Sequence, residues 1–402
     1  MMEGDGRRTR NGTTPESEPL DVDLQGNETT AQEDHEEDLR VSGLLADKRR
    51  LVGIGLVFLL AIGGIYFIFP KVLGLDEAID GLDNAVWYWV VIAVVFNVAA
   101  FAAYVALFRG ILGGRDSSDV RERLDARASY QITMAGLAAT RIFSAAGAGG
   151  IVLTYWALRK AGMSRRRSAC RMVAFLVLTY SVYLGALVLF GVLLRTGVLP
   201  GDNPVGGTIV PAAVAGSLML LLGLVALIPG DFERRLSGVA GEGRRARLAQ
   251  RLASGPATLS TGVRTAVDYL SHPSRGALAV SGAIGFWAAQ IGVLWASFEA
   301  FGGEVAFGVL VQGFFVGMAA NLIPSPAGGV GSVDAGMIGA FLLFGVPSGV
   351  VFPAVLTYRV IAFWLPIPPG VVAYFQLRHT VASWEAQRRG YTSKSKVTAE
   401  AM

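Results

Sequence analysis

One cysteine, Cys170, is all that this chain of 402 residues contains. An intramolecular disulfide is therefore excluded, and so is a cysteine-based metal site. Histidine is nearly as scarce. His35, His272 and His379 stand far apart, which argues against a histidine metal or catalytic cluster. No metal and no cofactor is expected, and no catalytic residue is nominated. Charged residues are thin too, at 16% of the chain, where an average soluble domain carries about 25%. No nucleotide-binding loop of the P-loop kind is present.

What the chain has instead is hydrocarbon. Hydrophobic residues make up 52% of it, and the mean hydropathy is +0.49. These residues fall in blocks of about 20, the length that crosses a roughly 30 Å bilayer core as a helix. Full spans are predicted at 51–70, 86–108, 172–194, 210–229, 276–301 and 351–377. The 51 glycines fit this class, because glycine is more frequent in membrane helices than in soluble ones.

Charge is distributed unevenly along the chain. Residues 1–47 hold 13 acidic and 4 basic side chains and almost no apolar runs. That composition predicts a disordered acidic tail, and it lacks the basic and apolar regions of a signal peptide. From Lys48 onward there are 31 basic and 18 acidic residues, and 27 of those basic residues sit in five stretches: 48–50, 109–128, 159–171, 230–275 and from 378 onward. The loop 71–85 is instead acidic, with Asp76, Glu77, Asp80 and Asp83 against Lys71. The positive-inside rule puts the five basic stretches, and both termini, in the cytoplasm. The positive charge suits anionic lipid headgroups. The segment 230–275, where arginines alternate with Leu236, Leu248 and Leu252, is expected to lie along the inner surface. It lacks interleaved aromatics, so no nucleic-acid partner is expected.

This orientation creates a conflict at residues 129–158. The segment is largely apolar, yet basic cytoplasmic stretches flank it on both sides. Two crossings need about 40 residues, so the segment must enter and return as a re-entrant hairpin. Its break is Ala146-Gly147-Ala148-Gly149-Gly150. A second hairpin is predicted at 306–346, between two segments that both face outside. Its break runs from Pro324, Ser325 and Pro326 through Gly328, Gly329 and Gly331. Proline cannot donate a backbone hydrogen bond and glycine weakens a helix. Broken backbone at membrane depth survives only inside protein or beside a wet cavity. The alternative is a pair of ordinary helical hairpins with flexible turns.

The two breaks occupy matching contexts. Gly149-Gly150 precedes Val177-Leu178-Thr179-Tyr180, and Gly328-Gly329 precedes Val355-Leu356-Thr357-Tyr358. The first hairpin would dip in from the cytoplasm and the second from outside. That is an inverted-topology repeat, an architecture common in secondary transporters, with the substrate site between the broken segments. The predicted fold is therefore an all-α polytopic membrane protein. It has about six full spans and two Gly/Pro-broken re-entrant hairpins in an inverted repeat. The transmembrane domain covers 48–380, and 381–402 form a short cytoplasmic tail.

Ionisable residues inside a membrane are costly, so each is a site candidate. Arg141 lies just before the first break, and Asn321 takes the comparable place before the second. Asp334 follows the second break, and Arg359 sits in the last span beside Tyr358. Arg141 and Arg359 could form a cationic pocket for a phosphate, since a guanidinium binds its oxygens in a fork. Alternatively Asp334 caps its helix, and the arginines pair with Asp334 or Glu299 to hold the fold. Gln290 and Asn321 could be hydrogen-bonding glue between helices.

The run Ala319-Ala320-Asn321-Leu322-Ile323-Pro324-Ser325-Pro326-Ala327-Gly328-Gly329-Val330-Gly331-Ser332-Val333-Asp334 resembles the signature of the flippase-like integral membrane family. That family includes the membrane region of lysylphosphatidylglycerol synthases. Thr140-Arg141-Ile142-Phe143 with its glycines, then Trp156–Gly162, is similar to the family's other signature. Tyr358-Arg359 followed by Phe363-Trp364-Leu365-Pro366 and Gly370 is similar to its last span. Asp334 stands where glutamate is more usual, and Ser144-Ala145-Ala146 lacks a proline often seen in the first break. The resemblance implies translocation of an anionic phospholipid or other lipid-linked phosphate between leaflets, by a protein that is not an enzyme. Its partners would be membrane lipids. Only residues 378–402 follow the last span, so no aminoacyl-transferase domain is expected there. The alternative is a membrane anchor or regulatory partner of a separate lipid-modifying enzyme.

Overall fold

The structure is a computed structural model that describes residues 85–112, 118–142, 148–227, 259–322 and 329–400. All of them fall in one unit, Ile65–Met402. The acidic tail 1–47, the first predicted span 51–70, residues 230–258 of the basic segment, and Phe143–Gly147 and Ile323–Gly328 of the two breaks lie outside the described residues.

The described residues form helices and no strand. They are α1 (Trp87–Leu112), α2 (Ser118–Arg123), α3 (Ala126–Ile142), α4 (Ala148–Lys160), α5 (Arg165–Arg195) and α6 (Ile209–Ala226). A helix over 259–271, α7, follows. Then come α8 (Pro273–Glu299), α9 (Phe307–Met318), a 3-10 turn (Ala319–Leu322), α10 (Ser332–Leu343), α11 (Ser348–Arg359), a π-helical turn (Val360–Trp364) and α12 (Ile367–Glu400). Five stretches are long and apolar enough to cross a membrane: α1, α5, α6, most of α8, and Ser348–Gln387. They coincide with the five predicted spans from 86–108 onward, and the protein is a polytopic all-α membrane protein.

Between the spans lie two pairs of short helices. α3 and α4 have 17 and 13 residues. α9 and α10 have 12 each, with the four-residue 3-10 turn between them. None reaches the ~20 residues of a crossing. In both pairs the helices touch through glycine. A Cβ built on Gly150 of α4 would sit 2.4 Å from the Gly136 carbonyl oxygen of α3, and one on Gly317 of α9 would sit 2.5 Å from Met337 Cα of α10. The second helix of each pair ends alike. The amide of Gly162 donates to the Arg159 carbonyl and that of Met163 to Leu158, while Gly345 donates to Leu342 and Val346 to Phe341. Both closures bear the hydrogen bonds of a Schellman motif, and both glycines adopt the positive φ it requires, +104° and +75°.

Burial divides along the same lines. The larger core joins α5, α8, α9, α10 and α11 around Trp287, Phe298, Phe314, Phe315 and Phe341. A second joins α3, α4 and α12 around Ile132, Leu158, Leu377 and Trp384. The outer faces of α6 stay apolar and open, as at Leu220 and Leu224, which suits a helix against lipid.

Many basic side chains meet helix ends. Arg264 Nε donates to the Ala226 carbonyl that closes α6, at 2.7 Å. Arg171 donates to Leu112 at the end of α1, and Arg123 reaches Ala161 just beyond α4 at 3.4 Å. The terminal carbonyls have no partner within their own helix, and cations are favoured there. The basic stretches of the sequence therefore also finish its helices.

Candidate functional site

The last span is not one uniform helix over 351–377. α11 gives way at Val360 to a π turn, in which the Leu365 amide bonds the Val360 carbonyl five residues back at 2.9 Å. Proline explains the change. In a continuing α-helix the amide of residue 366 would serve the carbonyl of Ala362, but Pro366 has no N–H. Single π turns are rare and frequent at functional sites. Three other carbonyls in this turn are served by side chains from elsewhere. Asn97 of α1 donates Nδ2–H to Ile361 at 2.8 Å. Arg141, in the last turn of α3, donates Nη2–H to Ala362 at 2.9 Å and Nη1–H to Phe363.

Arg359 closes α11 immediately before this turn. It is 5% exposed, and its Nε lies 2.6 Å from Asp334 Oδ1. The contact is an ion pair without hydrogen-bond alignment at that atom. Arg359 Nη2 also donates to the Gly329 carbonyl at 3.2 Å. Asp334 uses its other oxygen to accept from the Gly331 amide at 2.8 Å, which caps the first turn of α10. Gly329 and Gly331 hold φ of +91° and +86°, values that side-chain-bearing residues avoid.

The two arginines converge on one ring. The guanidinium carbon of Arg141 lies 4.9 Å from the centroid of Phe363, and that of Arg359 lies 4.5 Å from it. Cation–π attraction offsets part of the repulsion between them. Tyr358, next to Arg359, is buried. It packs edge-on against Phe314 at 5.9 Å and donates to Gln290 of α8 at 3.1 Å. Asn321 is exposed, and its Oδ1 would sit 2.7 Å from a Cβ on Gly329.

Of the twelve sequence-predicted site residues, Arg141, Gly329, Gly331, Asp334, Tyr358 and Arg359 come together here, with Asn321 at the edge beside Gly329. Gly150 instead serves the α3–α4 contact, and Gly149 is a half-buried residue at the start of α4. Pro324, Pro326 and Gly328 lie outside the described residues. The pairing expected as an alternative is present for Arg359, with Asp334 and not Glu299. The π turn, Asn97 and the ring of Phe363 went unpredicted. Pro366, four residues after Ala362, was the available signal, as was Asn97 in the middle of an apolar span. Among the described residues no His, Cys, Asp and Glu cluster could hold a metal.

Helix-crossing bundle, paired short helices and a buried basic centre define a class of multi-span membrane protein. Within it, the chain belongs to the family described as the lysylphosphatidylglycerol synthase TM region, whose profile matches residues 51–370. It is also similar to a UPF0104 membrane protein of Methanothermobacter thermautotrophicus, 30% identical over 86 residues, 21% of this chain and 26% of that protein. The match thus spans about a quarter of that relative's length.

Proposed function

We propose that this protein is a flippase-like transporter. It moves an anionic phospholipid, or another lipid-linked phosphate, between the leaflets of the cytoplasmic membrane, and it is not an enzyme. The observation that carries this reading is the convergence of Arg141 and Arg359 on Phe363. They arrive from different short-helix systems, α3 and the α10–α11 region. Guanidiniums at membrane depth are costly, Arg359 being buried and Arg141 half-buried, and together they suit phosphate oxygens. In this reading the α3–α4 and α9–α10 pairs are re-entrant hairpins of an inverted repeat, and the headgroup binds where they meet. The basic stretches and both termini face the cytoplasm.

A second reading has one observation of its own. Arg141 already serves two carbonyls, and Arg359 is already paired with Asp334. Such a centre could simply hold together a membrane anchor or regulatory partner of a separate lipid-modifying enzyme. Leaflet-resolved transport in proteoliposomes separates the two. Wild type should move labelled phosphatidylglycerol faster than empty vesicles, and Arg141→Ala or Arg359→Ala, compared at equal folded protein, should lose that excess. A wild type no faster than empty vesicles, co-purifying with one enzyme, establishes the second reading instead.

A further inference from the structure

Among the described residues this centre contains an odd number of charges. Arg141 and Arg359 contribute two positive groups and Asp334 one negative group. The electrostatic neighbours of Arg141 are Arg359, Tyr358 and Tyr104, and those of Tyr358 are Arg359, Arg141 and Asp334. No second carboxylate among the described residues pairs with either arginine. Neither break, 143–147 or 323–328, contains an ionisable side chain.

Asp334 is also fixed in place independently of Arg359. Its second oxygen is held by the Gly331 amide, at the start of a helix whose N-terminus favours a carboxylate. A ligand that engages Arg359 therefore meets Asp334 as a permanent neighbour, not as a counter-ion free to leave. We infer that Asp334 is a specificity-determining residue: it leaves the site one net positive charge, which matches a phosphodiester with its single negative charge. A phosphomonoester or diphosphate brings further negative charge into a buried site that already holds a carboxylate. That mismatch is a like-charge contact, the element by which sites reject wrong partners. The inference rests on the headgroup reading above and narrows its ligand to phosphodiester lipids.

The test is competition for a fluorescent phosphatidylglycerol by the purified full chain in detergent, at pH 8. Dioleoyl phosphatidylglycerol is one competitor. Dioleoyl phosphatidic acid, a monoester close to doubly charged there, is the other. Wild type should favour the diester by about tenfold. Asp334→Asn keeps an oxygen for the Gly331 amide and removes the charge, so it should abolish or reverse that preference. Asp334→Glu keeps the charge and should keep the order. A wild type that binds the monoester equally or better overturns the inference, with or without a folded Asn variant. An Asn variant with the wild-type ratio overturns it as well. Glycerophosphoglycerol, which lacks acyl chains, should compete weakly. If it competes as well as the lipid, the ligand is a soluble phosphodiester, which overturns the lipid reading and leaves the charge match standing. A preserved binding preference without transport in vesicles likewise removes transport alone.

Discussion

The two pairs of short helices are built alike and equipped differently. Each is closed by glycine contact, Gly136 with Gly150 and Gly317 with Met337, and each ends in the same glycine cap at Gly162 or Gly345. The first pair sends a cation, Arg141, to the backbone of the π turn. The second sends an anion, Asp334, to the side chain of Arg359. The repeated part is thus the scaffold, and the unrepeated part is the polar chemistry at its tips. Even the matching tetrapeptides diverge, since Tyr358 is 4% exposed and Tyr180 is 48% exposed. A shared frame with specialised ends accounts for both the likeness of the two pairs and its failure.

The comparison breaks most severely at Arg359. Arg359→Ala leaves Asp334 in a largely buried site without its partner, a loss of about 3–5 kcal/mol. Thermal unfolding in detergent measures it, and the double variant Arg359→Gln with Asp334→Asn should recover most of the loss. An unchanged midpoint in the single variant would show that the pair contributes nothing. Next comes Arg141→Ala, which orphans two carbonyls of the π turn and should cost about 1.5–3 kcal/mol. Arg141→Lys should restore little, because an ammonium lacks the fork that spans two adjacent carbonyls. Recovery by lysine would mean that charge alone matters there.

The glycine contacts test the shared scaffold. Gly150→Ala and Gly317→Ala should each destabilise by about 1–3 kcal/mol through overpacking. Gly136→Ala should cost less, since its new Cβ would meet only the Thr154 hydroxyl at 3.0 Å and other atoms beyond 3.5 Å. If Gly136→Ala were the worst of the three, the assignment of the closest approach would be wrong. The smallest effect is expected at Tyr358→Phe, which removes the hydrogen bond to Gln290 and keeps the ring, for about 0.5–1.5 kcal/mol. A thermal midpoint lowered as far as by Arg141→Ala would give Tyr358 a role beyond that bond.

Much of this architecture was legible in the sequence because membrane length and charge asymmetry are coarse signals. The helices α1, α5, α6 and α8 and the last span follow from apolar runs of the right size. Arg141, Asp334 and Arg359 stood out as ionisable groups at depth. Their partners did not, for a physical reason. Apart from Asp334 and Ser332 in its first turn, α10 is apolar on every side, as α6 nearly is, so periodicity does not say how either is rotated. Whether Arg359 would face Asp334 or Glu299 depends on that rotation. The π turn was missed because an apolar run that includes Ala362 and Phe363 hides the missing amide of Pro366. Asn97 was passed over as part of a span, although its burial and its bond to Ile361 tie α1 to the same turn.

The missing amide at Pro366 also bears on how the protein is made. Ribosomes deliver α3 to the membrane long before Pro366. The Ala362 carbonyl of the last span would otherwise face hydrocarbon unsatisfied, a state that lipid does not tolerate. Its partner, Arg141, has been waiting since early in synthesis. The last span is thus completed by a group from an earlier helix, so its insertion and its docking onto α3 become a single event. A nascent chain that has emerged through Gln387 should show α3 protected by α12, which packs on it through Leu377, Val381 and Trp384, whereas one that ends before Arg359 should not.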